Sequence, residues 1–198
     1  MLRVLTALCM YLALVTAAPA EMLSSLLSSG QVAFSSVRGT GSSSGSSLYG
    51  TLVNRTGSEV EVDVMLREPV YFKNRGVGQN MIATQIYGSD GGYYRDAGRS
   101  FVAIPANGSM EIMLVAYCAD FELDNPTRNE RLAVAPIPRS LDTAARRIAA
   151  YEAANPNADT LVPAQVALWL AQGLDPAQIR QQFSFSNAQL AEAWSILR

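Results

Sequence analysis

Apolar residues along this chain change their spacing once, at Pro138, and that change limits the folds open to it. Before Pro138 they recur at every second position. After it they recur at three and four. The clearest alternation sets Val60, Val62, Val64 and Leu66 against Glu59, Glu61, Asp63 and Arg67, giving a strand with one buried and one wet face. Residues 48–53, 81–87, 93–104, 110–117 and 131–137 read as further strands. Turn clusters separate them, from Asn54 to Gly57, Asn74 to Gly78, Gly88 to Gly92 and Pro105 to Gly108. Pro69 marks an edge or a break. Six or seven short strands at roughly ten-residue spacing predict an antiparallel, immunoglobulin-like β-sandwich over 48–138. No cysteine pair is available to cross-link it, so it rests on packing.

Beyond Pro138 the helical signals are ordered and short. Ser140 suits an N-cap, Leu141, Ala145, Ile148 and Tyr151 follow at helical spacing, and Asn155-Pro156 stops the helix. Pro163 suits the first position of a second helix that carries Val166, Trp169 and Leu170 and ends at Gly173. Asp175-Pro176 opens a third helix containing Ile179. Ser186 or Asn187 caps a fourth, with Leu190, Ala193, Trp194 and Leu197 on one side. A β half followed by a small helical bundle over 139–198 predicts a segregated α+β chain.

The first 47 residues differ from both halves. Arg3, an apolar run over 4–15 and Ala18-Pro19-Ala20 together predict a secretory signal peptide over 1–20, cleaved before Glu21. The run is short for a bilayer span and no charged stop-transfer cluster follows it, so no transmembrane span is expected after cleavage. Residues 21–47 are rich in serine and glycine. They predict a flexible linker in which 31–37 has enough apolar content for a first edge strand. The expected location is secreted, periplasmic or cell-surface.

Charge and residue types then exclude whole classes of function. Fifteen basic and seventeen acidic residues give a net charge of −2, and loss of Arg3 with the signal peptide makes the balance more acidic. Nucleic-acid binding through a strongly basic surface is excluded. The closely spaced C-terminal helices have the lengths of a helix-turn-helix, yet Arg180 and Arg198 are the only basic residues after Pro163. The chain has no histidine, which removes the Ser-His-Asp triad and the commonest zinc ligand. No cofactor is expected. Asp120, Glu122 and Asp124 alternate and form a weak set of oxygen ligands for a cation, but the glycine and distal glutamate of an EF-hand are missing. A solvated acidic turn is the plainer reading. Asn54 and Asn107 open glycosylation sequons that turn chemistry explains equally well.

Of two cysteines, Cys9 leaves with the signal peptide and Cys118 stays as a lone thiol in an oxidising compartment. It lies in Tyr117-Cys118-Ala119-Asp120, and Gln165 lies in Ala164-Gln165-Val166-Ala167-Leu168-Trp169. These two segments resemble those of bacterial surface thioester domains, where a Tyr-Cys-x-Asp-like stretch and a Thr-Gln-x-Ala-Ile-Trp-like stretch supply an internal Cys–Gln thioester. The resemblance implies that Cys118 and Gln165 are the bonded pair and that the chain captures an amine covalently, as an adhesin does. With Pro163 at the first helical position, Gln165 falls in the first turn, where free N–H groups lower a thiol's pKa and stabilise an oxyanion. Strand parity offers another reading. Cys118 shares a face with Met110, Ile112, Leu114 and Ala116, as a small core hydrophobe does.

Three functions therefore stand open. The broadest is an exported, non-enzymatic binding or structural protein of the cell envelope or surface, with a protein or a surface glycan as partner. The sharper one is a thioester-type adhesin acting through Cys118 and Gln165. The most distant is a carboxylate-based hydrolase. Contact between Cys118 and Gln165 favours the adhesin.

Overall fold

The computed structural model describes residues 22–96 and 98–198, so the expected signal peptide and its expected cleavage point lie outside the described residues. Nine strands and five helices are found among them. A short helix α1 (Leu23–Ser28) precedes β1 (Val32–Gly39) and β2 (Ser46–Asn54). The alternating stretch forms β3 (Val60–Asp63) and β4 (Met65–Asn74). Then come β5 (Met81–Gly88), β6 (Tyr94–Asp96), β7 (Arg99–Ile104), β8 (Ser109–Cys118) and β9 (Leu132–Ala135). Helices α2 (Arg139–Ala154), α3 (Leu161–Leu170), α4 (Pro176–Arg180) and α5 (Asn187–Ile196) complete the chain.

All strand pairings are antiparallel. Six strands form one sheet in the order β1-β2-β8-β5-β4-β9, and three form a second in the order β3-β7-β6. A bridge between Arg38 and Arg131 brings the two edges of the large sheet together, so it curls into a nearly closed barrel. The α+β class and the C-terminal helices are thus as the sequence predicts. In place of two facing sheets of similar size, one sheet closes almost on itself and a smaller one lies beside it. No helix among the described residues is long and apolar enough to cross a membrane.

One alternating run serves both sheets. Val62, Val64 and Leu66 are buried as their parity predicts, but β3 belongs to the small sheet and β4 to the large one. Val64 is the crossing point, donating to Ser100 O at 2.9 Å and accepting from Ile86 N at 2.9 Å. Pro69 falls inside β4, where the register against β5 shifts between Met65 and Val70. Its missing N–H is tolerated there because a bulge already interrupts the ladder.

Several local expectations are revised. The segment 21–47 is not uniformly a linker. Leu23 and Leu26 are three apart, and both bury against the core as α1, while β1 extends to Gly39. The second C-terminal helix starts at Leu161 with Thr160 as N-cap, so Pro163 is its third residue and Gln165 its fifth. A proline needs no N–H donor anywhere in the first turn, which is why it does not fix the helix start. Helix α2 starts at Arg139 with Pro138 as its N-cap, so Ser140 lies inside the helix and does not cap it, while Asn155 ends α2 and Asp175 and Ser186 precede α4 and α5 as their signals indicate. Asp175 and Ser186 each make a capping box, with Gln178 and Gln189 respectively. Trp194 departs from its expected apolar face and stays 43% exposed.

Candidate functional site

Strand β8 runs through the middle of the large sheet and delivers Cys118 at its end, where helix α3 passes. Gln165 meets it there. The Gln165 Oε1 accepts from the Cys118 backbone N–H at 2.8 Å, and Gln165 Nε2 donates to the Cys118 carbonyl at 3.0 Å. The side-chain amide therefore pairs with the strand end as another strand's peptide group does. Both residues are fully buried. The sequence places Gln165 on the face of α3 that it shares with Trp169, one turn further on. The Trp169 ring packs edge-on between Phe121 and Phe183, with centroids 5.1 Å away on each side, which anchors α3 to the segment following β8.

A cover of polar loops closes the thiol from the other direction. Cys118 Sγ donates to Asn125 Oδ1 at 3.5 Å, the same oxygen that accepts from Gln79 Nε2 at 2.8 Å. Asn125 Nδ2 donates to Gly41 O at 3.1 Å, and Gln79 N donates to Asp124 O at 2.9 Å. Gly39 makes this arrangement sterically feasible, because a Cβ there would lie 1.8 Å from the Pro126 carbonyl oxygen. Further out, Glu130 accepts from the backbone N–H groups of Gly78 and Thr127, both at 2.7 Å. Those bonds, Thr127 first, hold its carboxyl below the usual carboxylate range.

The electrostatics correct one expectation. Helix N–H groups were expected to lower the Cys118 pKa, but with Gln165 beyond the first turn they do not lead. Burial pushes the thiol up, Asp120 adds to the rise, and the Gln79 side chain opposes it. A free Cys118 in this fold is a neutral thiol.

The three alternating carboxylates do not act together. Asp120 Oδ2 accepts from Asn80 N and Asn80 Nδ2, each at 2.7 Å, while Glu122 and Asp124 are exposed. No group of three His, Cys, Asp or Glu side chains among the described residues is placed to hold a metal ion. Asn54 of the first sequon is buried inside its turn. Elsewhere, a cleft of about 640 Å³ is lined by Tyr87, Tyr93, Arg67, Arg95 and Arg99, and neither Cys118 nor Gln165 reaches it.

Sequence reasoning missed four residues near the pair: Gln79, Asn125, Glu152 and Thr160. Gln79, Asn125 and Thr160 carry no pattern that distinguishes them from ordinary loop or cap residues, whereas Glu152 stands four residues after Ile148 on the apolar stripe of α2. That position, a carboxylate where the helical spacing calls for a hydrocarbon, is the signal that could have found it.

Comparison of the chain with protein-family models, curated proteins and solved structures found no match in any of the three. The functional reading therefore rests on the residues themselves.

Proposed function

We propose that Cys118 and Gln165 form an internal thioester, and that the chain is an exported binding protein that holds its partner through a covalent amide. The observation that carries this reading is the contact itself. A glutamine 47 residues downstream docks its carboxamide on the backbone of Cys118, with both residues withdrawn from water.

The chemistry balances. The Cys118 sulfur adds to the Gln165 carboxamide carbon, the C–N bond breaks, and the nitrogen leaves as ammonia carrying the thiol proton. When a primary amine arrives, its nitrogen attacks the same carbon and the C–S bond breaks. The amine proton passes to sulfur, leaving a free thiol and a new amide. Burial keeps water from hydrolysing the acyl group before the amine arrives. An amine on a protein or glycan of a neighbouring surface is the partner class, and the secreted, periplasmic or surface location belongs to the same proposal. The immunoglobulin-like description of the β half belongs here too, with the curled sheet and its small companion sheet as the two layers.

A second reading is favoured by the saturation of the Gln165 amide. As a clamp, Gln165 satisfies the last peptide groups of β8, and Cys118 is a buried core thiol in a non-enzymatic binding or structural protein. Intact mass separates the two. The thioester form is lighter than its sequence by one ammonia and takes up methylamine covalently, and both signals vanish in Cys118→Ala and in Gln165→Ala. A wild-type mass equal to that of the sequence, with a thiol titratable only after denaturation, selects the clamp.

A further inference from the structure

We infer that Glu152 is a positioning residue that sets β8 against α3 and so holds Cys118 in register with Gln165. The inference rests on the thioester reading. Glu152 is the only buried carboxylate among the described residues, at 2% exposure. Its Oε1 accepts from the Tyr117 hydroxyl and from Thr160 Oγ1, the latter at 3.3 Å. Tyr117 immediately precedes Cys118. Thr160 is the N-cap of the helix that carries Gln165. One oxygen atom thus ties together the two chain segments that supply the reacting pair, and does so from a third, α2.

Stability does not explain this carboxylate. Among the described residues no basic side chain is paired with it, and its Oε2 has no hydrogen-bond partner. Burying an unpaired carboxylate is far more costly than burying a hydrocarbon of the same volume. What a hydrocarbon at 152 lacks is a directional bond to both Tyr117 and Thr160. From Thr160 to Gln165 is about 7.5 Å along the helix axis, a short rigid span. Sliding of α3 along β8 is therefore transmitted to the Gln165 amide, whose two bonds to Cys118 tolerate little of it.

The test uses the full chain made in a cell-free system, with growth of the ammonia deficit followed by intact mass. Thermal melts of each variant accompany it. Glu152→Gln keeps an acceptor for Tyr117 and Thr160, so it forms the deficit at the wild-type rate. Glu152→Leu stays folded but forms it about a hundredfold more slowly, the effect of misplacing reacting groups by about 1 Å. A folded Leu variant that reacts at the wild-type rate overturns the inference. So does a folded Gln variant as slow as the Leu variant, because it assigns the effect to charge rather than position. Should Glu152→Leu fail to fold, Tyr117→Phe removes only the hydroxyl and is expected to slow the reaction; the wild-type rate there overturns the inference. A wild-type chain that never loses ammonia fails differently, because it removes the thioester reading beneath this one.

Discussion

Asn54 and Gln165 are both buried carboxamides, and they act at opposite ends of β8. At the start, Asn54 Nδ2 donates to the carbonyls of Ser58, Ile104 and Pro105, at 2.8, 3.1 and 3.0 Å. Its Oδ1 accepts from Thr56 N and Thr56 Oγ1, both at 2.8 Å. Its own backbone N–H donates to Gly108 O, just before β8 begins. At the far end, Gln165 makes both its bonds to one residue, Cys118. The difference separates structure from chemistry. An amide spread over several peptide groups is accounted for by the turn it stitches. An amide devoted to Cys118 alone is, on the proposed thioester reading, placed for a reaction with its thiol.

The largest effect tests the structural side. Asn54→Ala leaves three carbonyls without their donor and the Thr56 groups without their acceptor, at a cost of about 3 kcal/mol. Denaturant unfolding measures it. The ammonia deficit of the folded fraction should not change, because Asn54 touches neither Cys118 nor Gln165. A loss of the deficit in this variant would break the separation between the two ends.

Gly39→Ala comes next, at about 2 kcal/mol, typical of overpacking against a rigid neighbour. The added methyl meets the Pro126 carbonyl, so the segment holding Asn125 over Cys118 must move. Methylamine uptake should then be faster than in the wild type. A melt within about 0.5 kcal/mol of wild type would show that the segment yields freely and is not held by β1.

How much of this was readable from the sequence depends on the range of the interactions involved. Alternation at Val60–Leu66, the turn at Asn54 and the helix starts at Asp175 and at Ser186 or Asn187 are local, and each was legible. The crossing of one alternating run between two sheets at Val64 was not, because parity records which face is buried and not which sheet a strand joins. Closure of the sheet through Arg38 and Arg131 depends on curvature accumulated over six strands. At the site, Cys118 and Gln165 were paired by resemblance alone, without any local signal that they touch. The roles of Gln79, Asn125 and Glu152 were illegible because they exist only once three separate segments have met.

Gln165→Ala tests the chemical side. Orphaning one N–H and one carbonyl at the strand end costs about 1.5 kcal/mol. The variant also leaves Cys118 as a free thiol, whose pKa burial and Asp120 raise in the folded state. Below the ordinary thiol value of 9.0 both folded and unfolded states keep the proton, and stability is unaffected. Above it the unfolded thiol ionises first, so stability falls as the pH rises. Melts between pH 7 and 10 should show a decline in Gln165→Ala that is absent from Gln165→Ala combined with Cys118→Ala. Equal slopes would place Cys118 in a wetter environment than its burial implies.

The smallest stability effect belongs to Asn125, and it sharpens the comparison most directly. Asn125 is half-buried, and its bond from Cys118 Sγ is long at 3.5 Å, so Asn125→Ala should cost less than about 1 kcal/mol. Its kinetic effect should be larger than its thermodynamic one. The side chain stands over the thiol while also bonding Gln79 and Gly41, so removing it opens the cover without disturbing the two bonds between Gln165 and Cys118. The ammonia deficit should form as in the wild type, and methylamine should then enter faster. Hydrolysis should accelerate too, read as a gain of one water on the deficit mass, because the same opening admits solvent. Faster capture with unchanged formation assigns Asn125 to access and Gln165 to chemistry. Unchanged rates of both capture and hydrolysis would show that amines and water reach the pair by another route.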